Sequence, residues 1–157
     1  MRPLKVHLIS FHGFLQTRKQ DQKTTIWDPV RRKYVVLTPE EWVRQLLVQY
    51  LIQSCHISRN RIAIEKQFSL YGQVRRFDLM LIDDSFKPWL LAECKEPDTP
   101  IDQPVFDQVF QYNLHFQVPY CLVTNGNQAY LLQFQHLQDE ELSPTYSFVQ
   151  EFPVQSG

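Results

Sequence analysis

Three charged residues interrupt two apolar runs of this chain, and their spacing predicts that they meet. Asp78 opens the run Leu79-Met80-Leu81-Ile82, and Glu93 and Lys95 close the run Trp89-Leu90-Leu91-Ala92. A buried carboxylate is costly unless it is paired or bound to a metal, so each of these groups needs a partner. Side chains alternate across a strand, so Glu93 and Lys95 share a face. Fourteen residues separate Asp78 from Glu93. A hairpin loop through Asp83, Asp84, Ser85, Phe86, Lys87 and Pro88 returns the second strand beside the first and joins all three groups. Two carboxylates and a lysine at one point form a hard-cation site with a charged partner, the equipment of metal-assisted phosphodiester hydrolysis. The competing reading makes Glu93 and Lys95 an ion pair on an edge strand and Asp78 a satisfied structural acid. The apolar flanks oppose it, because a solvated edge strand does not carry leucine and isoleucine at every position.

The elements that must position these groups are legible on either side. Thr25-Ile26-Trp27, the turn Asp28-Pro29 and Tyr34-Val35-Val36-Leu37 predict an N-terminal β-hairpin. A helix start follows: Thr38 as N-cap, Pro39 in the first turn and Glu41 completing a capping box. The helix runs to about residue 54, with Val43, Leu46, Leu47, Tyr50 and Leu51 as its buried stripe. Residues 62–70, 74–82 and 89–95 read as a three-strand meander, the first turn at Tyr71-Gly72-Gln73. A Pro-rich loop over 96–100 leads to a second helix over about 103–117, apolar at Val105, Phe106, Val109, Phe110 and Tyr112 and ended by Pro119. Residues 120–124 and 129–134 flank the turn Asn125-Gly126-Asn127, and 146–152 read as one more edge strand. Ahead of all this, Val6, Leu8 and Phe11 have some strand character, and 19–23 read as a polar turn or loop. The connection through the second helix is long enough for a parallel, right-handed crossover. The expected fold is α/β (α+β), a mixed central sheet flanked by helices, in one domain over 1–157.

Composition narrows the function classes. With 157 residues, 43% of them hydrophobic, the chain can bury a sizeable core. The net charge of −1 does not mark a general polyanion binder. Basic residues do cluster locally, at Arg31-Arg32-Lys33, at Arg59 with Arg61, and at Arg75-Arg76, where ordinary solvated turns explain each one alone. Cys55, Cys94 and Cys121 lack zinc spacing, and the last two sit in apolar runs as small hydrophobes, which fits a reducing cytoplasm. Nothing near His7 and His12 completes a metal site. No apolar run is long enough to span a bilayer, so no membrane partner is expected.

The ordered set of elements, with Asp78 and Glu93-Cys94-Lys95 in place, resembles the PD-(D/E)XK nuclease superfamily. The closer resemblance is to one branch, the N-terminal nuclease domain of type I restriction enzyme R subunits. It is carried by Leu37-Thr38-Pro39-Glu40-Glu41-Trp42-Val43-Arg44-Gln45, Arg76-Phe77-Asp78, Ala92-Glu93-Cys94-Lys95, the stretch 106–113 and the stretch 118–126, and it covers about residues 25–135. Phe77 stands where the superfamily's proline precedes the first acid. The resemblance implies a restriction-endonuclease-like fold and hydrolysis of DNA with Mg²⁺ (or Mn²⁺). It implies that Asp78, Glu93 and the main-chain carbonyl of Cys94 bind the metal and that Lys95 is catalytic. Gln108 and Tyr112 match the Q-x-x-x-Y motif of the branch, for catalysis and substrate contact, and helical spacing sets them on one face. Glu41 matches the first-helix acid that helps hold the metal or a water, and Glu65 is a weaker candidate. Arg75 and Arg76, beside the first acid, are expected to contact phosphates. No G-x-x-x-x-G-K-[ST] occurs, so the expectation is a cutting module without the ATPase motor, directed by a partner subunit or a second copy. The alternative is an inactive nucleic-acid- or partner-binding module of the same fold. Restriction-modification is implied by the family alone.

Overall fold

The computed structural model describes residues 1–135 and 145–153. The chain begins with a 3-10 helix at Leu8–Phe14, where strand character was expected. β1 (Thr17–Gln20), β2 (Lys23–Asp28) and β3 (Lys33–Val36) follow as an antiparallel three-stranded sheet. The expected hairpin is β2–β3, and β1 adds a third strand before it; the polar turn expected over 19–23 falls at Asp21 and Gln22, both in positive φ. α1 (Pro39–Gln53) buries all five residues of its expected stripe. Thr38 caps it, its hydroxyl accepting from the Glu41 N–H at 3.1 Å. The reciprocal half of the capping box is given up, because the Glu41 carboxylate accepts from Arg31 and Arg44 instead.

A 3-10 turn at Arg59–Arg61 leads to β4 (Ile62–Ile64), β5 (Gln67–Leu70), β6 (Gln73–Arg76), β7 (Leu79–Ile82) and β8 (Pro88–Cys94). The expected three-strand meander is therefore broken. Glu65 adopts φ 49°, and Phe77 and Asp78 leave the ladder, so β5 and β6 pair as a separate two-stranded ribbon while β4 pairs with β7. α2 (Gln103–Phe116) crosses over to β9 (Tyr120–Thr124), which lies parallel to β8. α2 stops at Gln117, which takes the left-handed conformation, two residues before Pro119. β10 (Ala129–Gln135) and β11 (Thr145–Val149) complete a six-stranded sheet in the order β11-β10-β9-β8-β7-β4. At the β9–β10 turn Gly126 takes φ 89°, and a Cβ there would sit 3.3 Å from the Val43 side chain, so only glycine lets the turn approach α1 this closely.

Each face of the sheet carries its own core. Leu79, Leu81, Leu90, Ala92 and Cys94 meet α1 and the N-terminal segment on one face. Met80, Leu91, Cys121 and Val123 meet Val105, Phe106 and Val109 of α2 on the other. Alternation along β8 therefore puts Glu93 on the α2 face. Both strands of the central pair end in acids where α1 begins and α2 passes, and this sets the location of the site.

Candidate active site

Asp78 sits in a bend immediately before β7, and the antiparallel pairing of Leu79 with Ala92 sets it beside the end of β8. One of its oxygens accepts from the Cys94 N–H at 2.6 Å, the other from Arg44 Nη2 at 3.0 Å. Glu93 is 6% exposed. Its Oε1 accepts from Gln108 Nε2 at 3.0 Å and lies 3.5 Å from Lys95 Nζ. Its Oε2 is buried and has no partner among the described residues. Burial, with repulsion from Asp78, pushes the Glu93 carboxyl up to about 8 against the pull of Lys95.

Gln108 ties the site to α2. Its carbonyl accepts from Lys95 Nζ at 2.9 Å while its amide donates to Glu93 and to the Tyr112 hydroxyl at 3.3 Å. The helical i, i+4 spacing of Gln108 and Tyr112 makes this relay. Tyr112 is itself buried against Phe68. An open cleft of about 480 Å³ fronts Lys95 and Gln108, with Glu40 and Asp102 on its rim.

Behind Asp78 lies a network that sequence reasoning did not anticipate. Arg44, 3% exposed, reaches Glu41 at 2.5 Å and Glu65 at 3.0 Å as well as Asp78, and touches Glu40 at 3.2 Å. Burial opposes its charge, but Glu41, Asp78 and the other acids outweigh it and hold the guanidinium firmly protonated. Arg31 pairs with Asp28, Glu41 and Glu65, so the N-terminal sheet is fastened to the site through one side chain. Asp28, fully buried, also accepts from the N–H groups of Val30 and Arg31. The signal for Arg44 was in the chain: a cation at i+4 from Glu40 and next to the buried stripe of a helix.

Glu41 is thus occupied by two arginines, whereas Glu40 faces the cleft. The Glu40 carboxyl is raised by partial burial and by Asp78. Glu65 lies between Arg31 and Arg44, and Arg76 comes within 3.8 Å of it. Arg75 and Arg76 are exposed on β6, Arg75 donating to the Gln73 side chain at 2.6 Å. The described residues do not bring three His, Cys, Asp or Glu side chains to one cation position. A cation here would therefore draw on Asp78, the open oxygen of Glu93, main-chain carbonyl and water. The two close acids, one with an orphaned buried oxygen, fit a hard cation.

A mixed sheet whose central antiparallel pair ends in two acids and a lysine, with a crossover helix supplying a glutamine, defines the restriction-endonuclease-like class. Within that class, the chain belongs to the family of the type I restriction enzyme R protein N terminus, whose model matches residues 39–153. No curated protein matches the chain. The match begins at α1, so the sheet that delivers Arg31 lies outside it.

Proposed function

We propose that this domain is a metal-dependent nuclease that hydrolyses DNA phosphodiester bonds, using Mg²⁺ or Mn²⁺. The observation that carries the reading is the buried, unpartnered Oε2 of Glu93 beside Asp78, with Lys95 and Gln108 gathered on the other oxygen. Asp78, Glu93 and the Cys94 carbonyl would hold the cation, which would supply polarisation of the scissile phosphate and a water acidic enough to ionise near neutral pH. Lys95 projects to the cleft and donates to the attacking water or to charge developing on the phosphate. Gln108 holds Lys95 and Glu93 at a common distance, and Tyr112 steadies Gln108 from the core side. Arg44 holds the Asp78 carboxylate in position. Arg75 and Arg76 meet backbone phosphates.

The test is cleavage of supercoiled and linear DNA with Mg²⁺, with Mn²⁺ and with chelator. Wild type cuts only with metal, Lys95→Ala does not cut, and Gln108→Ala loses most activity but keeps its metal-induced thermal shift. Full cleavage by Lys95→Ala overturns the catalytic assignment. A second reading, a module that binds DNA without turnover, draws on the Arg44 network, which already neutralises Asp78 without a metal. It requires that divalent metal leave the thermal midpoint unmoved.

A further inference from the structure

The ribbon β5–β6 stands apart from the six-stranded sheet and grows directly out of the site. The Glu65 N–H donates to the Asp78 carbonyl at 3.1 Å and the Phe77 N–H to the Lys66 carbonyl at 3.3 Å, so both stems are fixed beside the first acid. Phe68 roots the ribbon on α2, its ring 5.1 Å from Tyr112 and 4.8 Å from Phe116. Residues opposite one another on paired strands share a face. The face of Phe68 and Arg75 is therefore the rooted one, and Gln67, Ser69, Val74 and Arg76 form the other, all four exposed. Residues 66–77 hold three cations and no carboxylate, in a chain of net charge −1. At the tip Tyr71 takes φ 50° and Gly72 φ 76°. Asn or Gly is the natural occupant of the first of these positions, and a bulky side chain there is strained. Tyr71 is 83% exposed, so packing does not account for it.

We propose that this ribbon is an arm that grips duplex DNA, its outward face seated in the major groove of the duplex whose backbone the site attacks, with Tyr71 leading. The proposal rests on the nuclease reading and names its substrate class. A major groove about 12 Å wide admits a two-stranded ribbon, and a four-residue strand at about 3.3 Å per residue reaches about 13 Å. Gln67 and Ser69 carry the donors and acceptors that base edges bind, and Arg76, Arg75 and Lys66 supply the charge that meets the backbone phosphates. An A-form RNA duplex has a major groove too deep and narrow for such an arm, and a single strand has no groove.

The experiment is binding by fluorescence anisotropy, in chelator, to a labelled duplex DNA, to one of its strands, and to the RNA duplex of the same sequence. Three proteins are compared: wild type, Gln67→Ala with Arg76→Ala, and Tyr71→Gly. Wild type prefers duplex DNA. The double variant binds it about tenfold more weakly. Tyr71→Gly also weakens binding, although it removes no charge, while its thermal midpoint holds or rises because glycine relieves the left-handed position. Duplex binding equal to wild type in both variants overturns the arm. So does a wild type that prefers the single strand or RNA, or that binds no duplex at low salt. Cleavage with Mg²⁺ separates this from the nuclease reading. Ribbon variants that bind and cut like wild type remove the arm and leave the nuclease. A wild type that holds duplex through the ribbon yet never cuts removes the nuclease and leaves the arm.

Discussion

Asp78 and Glu93 are both acids at the ends of paired strands, but their surroundings divide their roles. Asp78 spends both oxygens on Arg44 and the Cys94 N–H, whereas Glu93 keeps one buried oxygen open. Losing an acid here therefore relieves like-charge repulsion at Glu93 and not at Asp78. Asp78→Ala leaves the buried Cys94 N–H without an acceptor and takes one of four acids from Arg44, which costs about 2 kcal/mol. Its thermal midpoint falls without metal, and added metal no longer raises it; a midpoint above wild type contradicts the pairing. For Glu93 the sign follows from its raised carboxyl, about 8 in the fold against an ordinary 4.5. The contribution of such a group is full below 4.5 and is lost as pH climbs through about 8. Metal-free Glu93→Gln should match wild type at pH 5 and melt higher at pH 9. Calorimetry at the two pH values decides it, and equal differences at both rule out a buried, raised carboxyl.

Among the elements, the helices were the most legible from sequence and the strands around the site the least. α1 announces itself through Thr38, Pro39 and a 3.6-residue stripe, all of them local signals. The break at Glu65 has no such signal. It arises because Arg31 and Arg44 come from two other elements to hold the Glu65 carboxylate, in a left-handed backbone that its own propensity disfavours. Arg31 also makes the N-terminal sheet part of the site's support. Arg31→Met leaves the fully buried Asp28 without its cation and takes one of two arginines from Glu41, and should lower stability by about 3 kcal/mol. Urea unfolding measures it. A loss below about 0.5 kcal/mol, typical of an exposed pair, would show that the sheet is not fastened through this residue.

For the molecule as a whole, divalent metal should act as a ligand of the folded state. At a hundred times its dissociation constant the stabilisation is about 2.7 kcal/mol by mass action. A metal titration of the thermal midpoint gives the value, and an equal shift in Asp78→Asn moves the site elsewhere. No helix among the described residues is long and apolar enough to cross a membrane, in keeping with the hydropathy of the chain. The sequence by itself determined the two helices, the β7–β8 hairpin, the crossover to β9, and the meeting of Asp78, Glu93, Lys95, Gln108 and Tyr112. Each depends on periodicity, a cap, a turn or a motif, which are written in neighbouring residues. Only the tertiary structure decided that Arg44 and Arg31 hold the acids, that Glu40 rather than Glu41 faces the cleft, and that β5–β6 leaves the sheet as a separate ribbon. These depend on charges brought together from distant segments. A buried charge is settled by whichever partner the fold delivers, and no local pattern of residues encodes that delivery.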